Sequence, residues 1–572
     1  MDPNCSSAFI HGYERMAAWS DLLDQINVFP VADADTGRNL KISLAPLRQL
    51  GEQPKLVPGH LVRMATGNSG NIAAAFFYEL LGVERSSELP GAIQKGMRKA
   101  RQAVADPQPG TMLTVFDALA ELMPLNDLAP SEWDLVRIID RLQKTVADSS
   151  DALPQLKHAG VVDAGALGMF IFLEAFLSHI TGQKNHDRPV TELFGGKLAI
   201  ASDWTPDGDE EGYCISATIR PGCDRDDIGQ RLSAHGESVV VTGDADRVRV
   251  HLHTDDRRAL RSGLEALGPV VGWSEERIVT DVRRSTAGSQ AVHIMTDAAG
   301  SITMEDAKQY GVTLLSSYLV VGEQAWPETL YEPERLYSAM SGGIKVSTAQ
   351  ASVFERHQSY LSAISRFNKV LYLCVGSVYT GNYETAVSWK AANDDANRLA
   401  IIDTGAASGR LGIAVLATAR FAEGAEAPDV VMRFARKAIT HSQELVFLDQ
   451  LKYLAAGGRI SKTKGFFGDL LHKKPIITPT AHGAAKVGIV RNRKEQLAFA
   501  LARIENEFNK GDAPDILLQY SDNQSWVQET AAEQIQERLP YANILFRPLS
   551  LTSGAHMGPG TWGMAYLPKV TD

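Results

Sequence analysis

The chain has 572 residues, of which 44% are hydrophobic and 22% charged, a balance typical of ordinary globular proteins. At roughly 100–200 residues per domain, we expect three or four domains. The formal net charge of −11 argues against a general affinity for nucleic acid or for an anionic membrane surface.

Four cysteines are scattered along the chain, at Cys5, Cys214, Cys223 and Cys374. So few cannot build a disulfide framework, and they fit a reducing cytoplasm. The first residues lack the basic segment and apolar run of a signal peptide, and no stretch of 18 apolar residues predicts a membrane span. We therefore expect a cytoplasmic protein.

Three regions follow one another along the chain. Residues 8–185 contain long apolar segments without strand alternation, as at 167–177, and predict an all-helical bundle. Residues 190–285 contain alternating, Val-rich segments between helical ones, which predicts a small α+β domain. From 290 to 572, short apolar strands alternate with helices, so we expect an α/β domain in two lobes.

An acidic loop lies in the first region, where residues 27–40 read N-V-F-P-V-A-D-A-D-T-G-R-N-L. Two carboxylates two residues apart, Asp33 and Asp35, can point at one Mg²⁺, which prefers oxygen ligands and phosphate partners. The neighbouring Thr-Gly step offers backbone N–H groups to a phosphate. The plainer alternative is a helix N-cap, for which Asp and Thr are ordinary residues.

Three further small-residue loops precede helical segments of the same region. They read G-N-S-G-N at 67–71, P-G-T-M-L-T-V at 109–115 and G-V-V-D-A-G-A-L-G at 160–168. Each alone is a weak signal, since Gly-rich helix starts are common. Four such loops in one helical domain predict a phosphate-binding site.

Together these loops resemble the nucleotide-binding domain of the dihydroxyacetone kinase and fatty acid kinase superfamily, whose acidic segment reads N-V-[FY]-P-V-x-D-G-D-T-G-x-N. The resemblance covers about residues 8–185 and implies a helical barrel that binds ATP with Mg²⁺. It implies that Asp33 and Asp35 are catalytic metal ligands. It places these residues near the nucleotide: Asn27, Thr36, Asn39, Asn68, Ser69, Gly110, Thr111 and Asp163.

The chain departs from this family pattern at two positions. Ala34 stands where the family has a glycine between the aspartates, and Thr66 replaces an arginine before G-N-S-G. If the backbone at Ala34 needs a positive φ, alanine is strained there by about 1 kcal/mol.

The second region carries H-L-H-T-D at 251–255. His251 and His253 project from one face of a strand, where they can bind one metal ion or simply lie on the surface. The region resembles the fatty acid kinase middle domain, which has a similar G-Y-C segment. That resemblance implies a zinc site formed by Cys214, His251 and His253.

Several polar loops punctuate the third region, among them V-S-T-A-Q-A-S at 346–352, G-S-V-Y-T-G-N-Y at 376–383 and G-A-H-M-G-P-G at 554–560. Any one of them could be plain turn chemistry. In order, with M-T-D and G-G-R-I, they resemble the DegV family of fatty-acid-binding proteins over about 290–570. The resemblance implies a carboxylate site formed by Thr348, Thr380, Arg459 and His556.

The three resemblances together predict a fused fatty acid kinase that transfers phosphate from ATP to a bound fatty acid, with Arg459 and His556 beside the transferred group. The alternatives are a fatty-acid-binding or regulatory protein with a degraded kinase domain, and a kinase of small polyols. We expect a homodimer that hands acyl phosphate to an acyltransferase, with transient membrane contact and no nucleic acid partner.

Overall fold

The computed structural model describes residues 1–123, 128–183, 188–206, 212–222, 225–243, 246–278, 291–456 and 473–570. The chain divides into two compact units, residues 1–285 and 286–572.

The first unit opens with a helical region, as its long apolar segments predict. Its helices are α1 Pro3–Ala18, α2 Ser20–Gln25, α3 Thr36–Leu44, α4 Val57–Met64, α5 Gly67–Leu80, α6 Leu89–Ala103, α7 Met112–Leu122, α8 Leu135–Ala152, α9 Pro154–Ala159, α10 Ala164–Thr181 and α11 Val190–Leu193. Helix α10 is apolar on all sides and lies at the centre, where 89% of its residues are buried. By length and composition it could cross a membrane, but such burial is that of a core helix.

Aromatic rings fill the middle of the helical region. Phe172 of α10 packs against Phe77 of α5 at 4.4 Å between ring centroids, and Phe9 of α1 lies 4.8 Å from Phe176. Tilted and edge-on arrangements of this kind stabilise beyond simple burial, by about 0.5–1.5 kcal/mol per pair. This core leaves the chemistry to one end of the helices.

The second part of the first unit is a four-stranded antiparallel sheet with two helices. Its elements are β1 Gly212–Ile219, α12 Arg225–Leu232, β2 Glu237–Gly243, β3 Val248–Thr254, α13 Arg257–Leu267 and β4 Val270–Ile278. The strand order is β2-β3-β1-β4. Alternate residues such as Ile215, Val250 and Leu252 form a buried apolar cluster with Ile228 of α12 and Leu264 of α13. One face of the sheet is therefore covered by its own helices.

Strand β2 is attached to the helical region through its backbone. The N–H of Ala105 donates to the carbonyl of Val239 at 3.1 Å, and Val104 forms a bridge with Val240. The Arg249 side chain donates to the carbonyl of Arg63 at 2.7 Å. The other face of the sheet thus meets the helical region.

The second unit is an α/β structure. Its elements are β5 His293–Asp297, α14 Met304–Tyr310, β6 Thr313–Leu315, β7 Tyr318–Val321, β8 Gln324–Pro327, α15 Pro333–Ser341, β9 Val346–Ala349, α16 Val353–Arg366, β10 Val370–Cys374, α17 Asn382–Asn393, β11 Leu399–Asp403, α18 Ser408–Ala422, α19 Pro428–His441, β12 Gln443–Phe447, α20 Leu451–Ala456, β13 Lys474–Thr480, β14 Gly483–Val490, α21 Arg493–Glu507, β15 Asp515–Tyr520, α22 Gln524–Trp526, α23 Ala532–Arg538, β16 Asn543–Pro548, α24 Leu551–Met557 and β17 Trp562–Leu567.

Three sheets organise this unit. The first is parallel, with the order β11-β10-β5-β6, and the second is mixed, with the order β14-β13-β12-β17-β15-β16. Separate cores surround these two sheets, so the expected two-lobed α/β class is confirmed. The third sheet is small, with the order β8-β7-β9. The prediction that 346–352 forms a loop was wrong for its first four residues, which pair with β7 as strand β9.

A buried carboxylate joins the loops at the carboxyl end of the parallel sheet. Asp297, 1% exposed, accepts hydrogen bonds from Arg356 Nη1 at 3.0 Å and from the Tyr372 hydroxyl, the Val375 amide and Asn382 Nδ2 at 2.8 Å each. Burial lowers the pKa of Arg356, but the Asp297 carboxylate raises it further, and the balance lies above the usual range. A carboxylate can be kept buried here because every partner is a donor.

Replacing this carboxylate by an isosteric amide tests its weight in the fold. Asp297→Asn leaves the buried Arg356 charge uncompensated, so we expect a loss of roughly 3–5 kcal/mol. Hydrogen–deuterium exchange of peptides from β5 and β10 measures it locally. Glu505→Gln is the control, because it disrupts the more exposed pair with Arg538 and should cost under about 1 kcal/mol. Equal losses in both variants would contradict this account.

Candidate functional site

A cavity of about 690 Å³ lies in the first unit. Its walls come from the helical region and from the exposed face of the β2-β3-β1-β4 sheet. Of the residues predicted from sequence, the following line it: Asn27, Asp33, Asp35, Thr36, Asn39, Asn68, Ser69, Thr111, Asp163, His251 and His253. Gly110 directly precedes one lining residue, Thr111, and the amide of Gly110 donates to the Thr114 hydroxyl at 2.9 Å.

Four helices begin at this cavity. They are α3, α5, α7 and α10, and each starts within one of the four small-residue loops noted in the sequence. The first N–H groups of a helix have no partner inside the helix, and the helix dipole places partial positive charge there. Four such ends around one cavity favour an anionic ligand such as a phosphate chain.

Glycine 67 allows two of these helices to approach. Gly67 has a φ of +63°, and a Cβ at this position would lie 2.0 Å from Nδ2 of Asn39 in α3. Any side chain would push α5 away from α3. The G-N-S-G loop is therefore required for the cavity to close on this side.

The acidic loop is braced by Asn27. Its amide donates to the carbonyl of Val31 at 2.8 Å, while its oxygen accepts from the amide of Thr36 at 3.0 Å and from the Thr36 hydroxyl. Because that oxygen is already used twice, the geometry gives Asn27 the role of holding the loop. Its contact with a nucleotide or metal stays a prediction.

Asp33 and Asp35 are partly buried and interact directly. Burial and the charge of Asp35 raise the pKa of Asp33 to about 8. Burial also raises the pKa of Asp35, although the Arg38 guanidinium opposes this shift. Two carboxylates whose charges destabilise each other in this way become favourable when a cation lies between them. Their oxygen donors suit Mg²⁺.

Asp163 caps the core helix at the cavity wall. Its side chain accepts from the amide of Ala166 at 2.7 Å, and its own amide donates to the Ser149 hydroxyl at 2.9 Å. Burial raises the pKa of Asp163 to about 7. The N-cap alternative considered from sequence therefore describes Asp163, and it places this carboxylate at the start of α10.

The sheet wall carries a second candidate metal site. One ligand atom each from Cys214, His251 and His253 lies within 4.8 Å of the others. Burial lowers the pKa of His251 to about 3 and that of His253 to about 4, so both imidazoles are neutral at pH 7, as metal binding requires. A thiol and two imidazoles are a donor set suited to Zn²⁺.

This Cys-His-His cluster lies beside the acidic loop. Burial and the nearby Asp35 carboxylate raise the pKa of Cys214 to about 12. Arg38, which follows the acidic pair, donates to Glu276 of β4 at 3.2 Å. Sequence reasoning missed this link, because it predicted neither strand β4 nor a role for Arg38 within D-T-G-R-N.

The second unit brings together two of the predicted carboxylate-binding residues. Thr348 of β9 and His556 of α24 lie 3.2 Å apart, Oγ1 to Nε2. His556 is in the last turn of a helix, although the sequence predicted a Gly-Pro turn. Thr380 lies in the loop after β10, where its hydroxyl accepts from the amide of Asn382 at 3.3 Å. Arg459 lies outside the described residues.

The Asp297 network connects the segments that carry these hydroxyl groups. Asn382, two residues after Thr380, donates to Asp297, and so does Arg356 of the helix that follows β9. Sequence reasoning singled out Asp297 only through its resemblance to a family aspartate and did not identify Arg356. The common carboxylate holds the Thr380 loop and helix α16 together.

A glycine at position 34 should relieve strain in the acidic loop. Ala34 has a φ of +53°, so Ala34→Gly should raise the free energy of unfolding by about 0.5–1 kcal/mol. Urea unfolding measures the change. Ala147→Gly, inside helix α8, is the matched control and should lower stability by about 1 kcal/mol. Destabilisation by Ala34→Gly would show that the loop does not need the left-handed conformation.

Repulsion between the acidic pair predicts a pH-dependent stability in metal-free protein. The folded-state pKa of Asp33 is raised above its unfolded value, so the folded state binds the proton more tightly and stability falls between pH 4 and 8. At pH 8, EDTA-treated Asp35→Asn should therefore be more stable than wild type by at least about 1 kcal/mol, and the gain should shrink at pH 5. Urea unfolding at both pH values measures this.

The control for that comparison is Asp117→Asn, which removes a carboxylate on α7 that pairs with Arg101. This variant should differ little from wild type at either pH. A metal-free Asp35→Asn protein that is less stable than wild type at pH 8 would refute the repulsion.

Comparison with known proteins assigns each part of the chain. Residues 30–178 match the family model of the DAK2 domain, residues 210–274 that of the FakA-like middle domain of fatty acid kinases, and residues 291–569 that of the DegV family.

Among relatives, an uncharacterized protein of Staphylococcus epidermidis is 30% identical, over 43% of this chain and 49% of its own length. One from Staphylococcus haemolyticus is 28% identical, over 52% of this chain and 59% of its own length. The chain spans about half the length of such relatives.

Solved structures with some likeness include a fatty-acid-binding DegV family protein of Thermus thermophilus. It is 22% identical, with a TM-score of 0.45, over 49% of this chain and 100% of that one. DegV of Bacillus subtilis is 18% identical, with a TM-score of 0.45, over the same shares. The resemblances drawn from the motifs are confirmed by the three family matches: the chain carries, in order, a DAK2 domain, a FakA-like middle domain and a DegV-family domain.

Proposed function

We propose that this protein is a fatty acid kinase that transfers the γ-phosphoryl group of ATP to the carboxylate of a bound fatty acid. The observation that carries the proposal is the cavity where the acidic pair meets the starts of four helices. The match of 210–274 to a fatty acid kinase type of middle domain supports the choice of acceptor.

The phosphate chain of ATP binds at the helix starts. Backbone N–H groups of α3, α5 and α7 donate to phosphate oxygens, with the hydroxyls of Thr36, Ser69 and Thr111 beside them. Asp33 and Asp35 hold Mg²⁺, which neutralises charge on the phosphates. Catalysis of this kind consists mostly of positioning and charge stabilisation.

The acceptor carboxylate binds in the DegV-family domain. Thr348, Thr380 and His556 donate hydrogen bonds to it, and Arg459 supplies a charge-assisted one. A carboxylate oxygen attacks the γ-phosphorus as the bond from that phosphorus to the ADP oxygen breaks, and ADP leaves with the electron pair. The products are acyl phosphate and ADP, so no protein nucleophile is required.

Cellular context follows from the chemistry of the product. Acyl phosphate hydrolyses readily, so we propose that it passes directly to an acyltransferase, at most with transient membrane contact. The protein acts in the cytoplasm, consistent with the free thiols of Cys5, Cys214 and Cys374. We further propose a homodimer, with Zn²⁺ at the Cys-His-His cluster and no nucleic acid partner.

The reaction is tested by incubating full-length protein with ATP, Mg²⁺ and oleate and trapping acyl phosphate with hydroxylamine. Wild type should form the hydroxamate. Asp35→Asn should lose at least about 10³-fold in rate, because a metal ligand is removed, yet keep co-purified fatty acid. Thr348→Val with His556→Ala should lower the amount of fatty acid retained in mass spectrometry.

Asp117→Asn, on α7 but outside the cavity lining, serves as the control and should keep the wild-type rate. Retained fatty acid without ATP turnover in wild type would favour the non-catalytic lipid-binding alternative. Turnover with dihydroxyacetone but not with oleate would refute the proposal in favour of a polyol kinase.

A further inference from the structure

A polar row crosses the middle sheet on the face that lines the cavity. In the strand register, Glu237 of β2 lies opposite His253 of β3, which lies opposite Cys214 of β1. Side chains directly opposite each other in antiparallel strands project from the same face and lie about 4.5–5.5 Å apart at Cβ. Glu237 and His253 both line the cavity. Glu237 is therefore a neighbour of the cluster that sequence reasoning missed.

His251 shows how this sheet supports a metal-binding imidazole. Its Nε2 lies 3.7 Å from the Cys214 sulfur, and its Nδ1 lies 3.0 Å from the hydroxyl of Ser216. Ser216 is the residue directly opposite His251 in the register. One ring nitrogen thus faces the cluster, while a cross-strand neighbour holds the other.

His253 has the same arrangement without the equivalent bond. Its Nδ1 is buried and has no hydrogen-bond partner in the described part of the chain. Its cross-strand neighbours are Cys214, which belongs to the cluster, and Glu237. A ligating histidine almost always donates its second ring N–H to a carboxylate, carbonyl or water.

A β-bulge places Glu237 at this point. Between the pairs Glu237–His253 and Val240–His251, strand β2 has two residues where β3 has one. One of the two, Ser238, has a φ of +55°, a strained conformation for a non-glycine residue. Bulges of this type re-aim side chains next to functional sites.

We propose that Glu237 is the positioning carboxylate of the middle-domain metal site. It accepts a hydrogen bond from Nδ1 of His253 and so directs Nε2 toward the metal ion. This role rests on the Zn²⁺ site of the proposed function. It extends that site to a fourth side chain, contributed by strand β2.

The test measures metal binding rather than turnover. Full-length apoprotein is titrated with Zn²⁺ against a chromophoric chelator, and with Co²⁺ while the thiolate-to-cobalt absorption is recorded. Glu237→Ala should weaken Zn²⁺ binding roughly 10–100-fold and change the cobalt spectrum, because the His253 ring loses its orientation. Glu237→Asp, which keeps the carboxylate, should recover part of the affinity.

The matched control is Glu275→Ala, a charge removed from β4 at an exposed position that pairs with Arg257. It should leave both titrations unchanged. Wild-type affinity and an unaltered cobalt spectrum in Glu237→Ala would overturn the assignment, even if the protein proves to be a fatty acid kinase. Wild type that binds neither ion would overturn the metal site itself, and the hydroxamate assay then judges the kinase proposal separately.

Discussion

The first unit depends on two carboxylates that repel each other. Asp33 and Asp35 are held close in a partly buried loop, and burial together with mutual repulsion raises the pKa of Asp33. The starts of four helices surround the same space and favour negative charge. Helix ends attract phosphate and the carboxylates attract a cation, so the cavity is suited to a ligand that carries both. A magnesium nucleotide has that composition.

The second unit solves the opposite electrostatic problem. Its buried carboxylate, Asp297, is surrounded by four donors and requires no added ion. The difference is instructive, since both aspartates end in loops of an otherwise apolar scaffold. Where donors saturate a carboxylate, its role is to hold loops in place. Where carboxylates face each other, the structure keeps energy that a bound cation releases.

The sequence predicted much of this because its strongest signals are local. Gly-rich loops before apolar segments located the four helix starts, and the alternation around His251 and His253 located their strand. The positive φ at Ala34 agrees with the glycine of the family pattern. What it missed depends on pairing between distant segments: strand β4, the Arg38–Glu276 bond and the position of Glu237 opposite His253. An exposed, mixed-polarity strand such as β4 has no clear periodicity, and register cannot be read from one strand alone.

The backbone link between β2 and residues 104–105 has a practical consequence for dissecting the molecule. The outer strand of a sheet exposes unpaired amide and carbonyl groups, which recruit strands from other molecules. Here the chain covers part of that margin with Val104 and Ala105. A fragment that begins after the helical region would lose this cover and present the bare margin to its copies. Self-association of such a fragment would therefore report the cut, and not the habits of the intact protein.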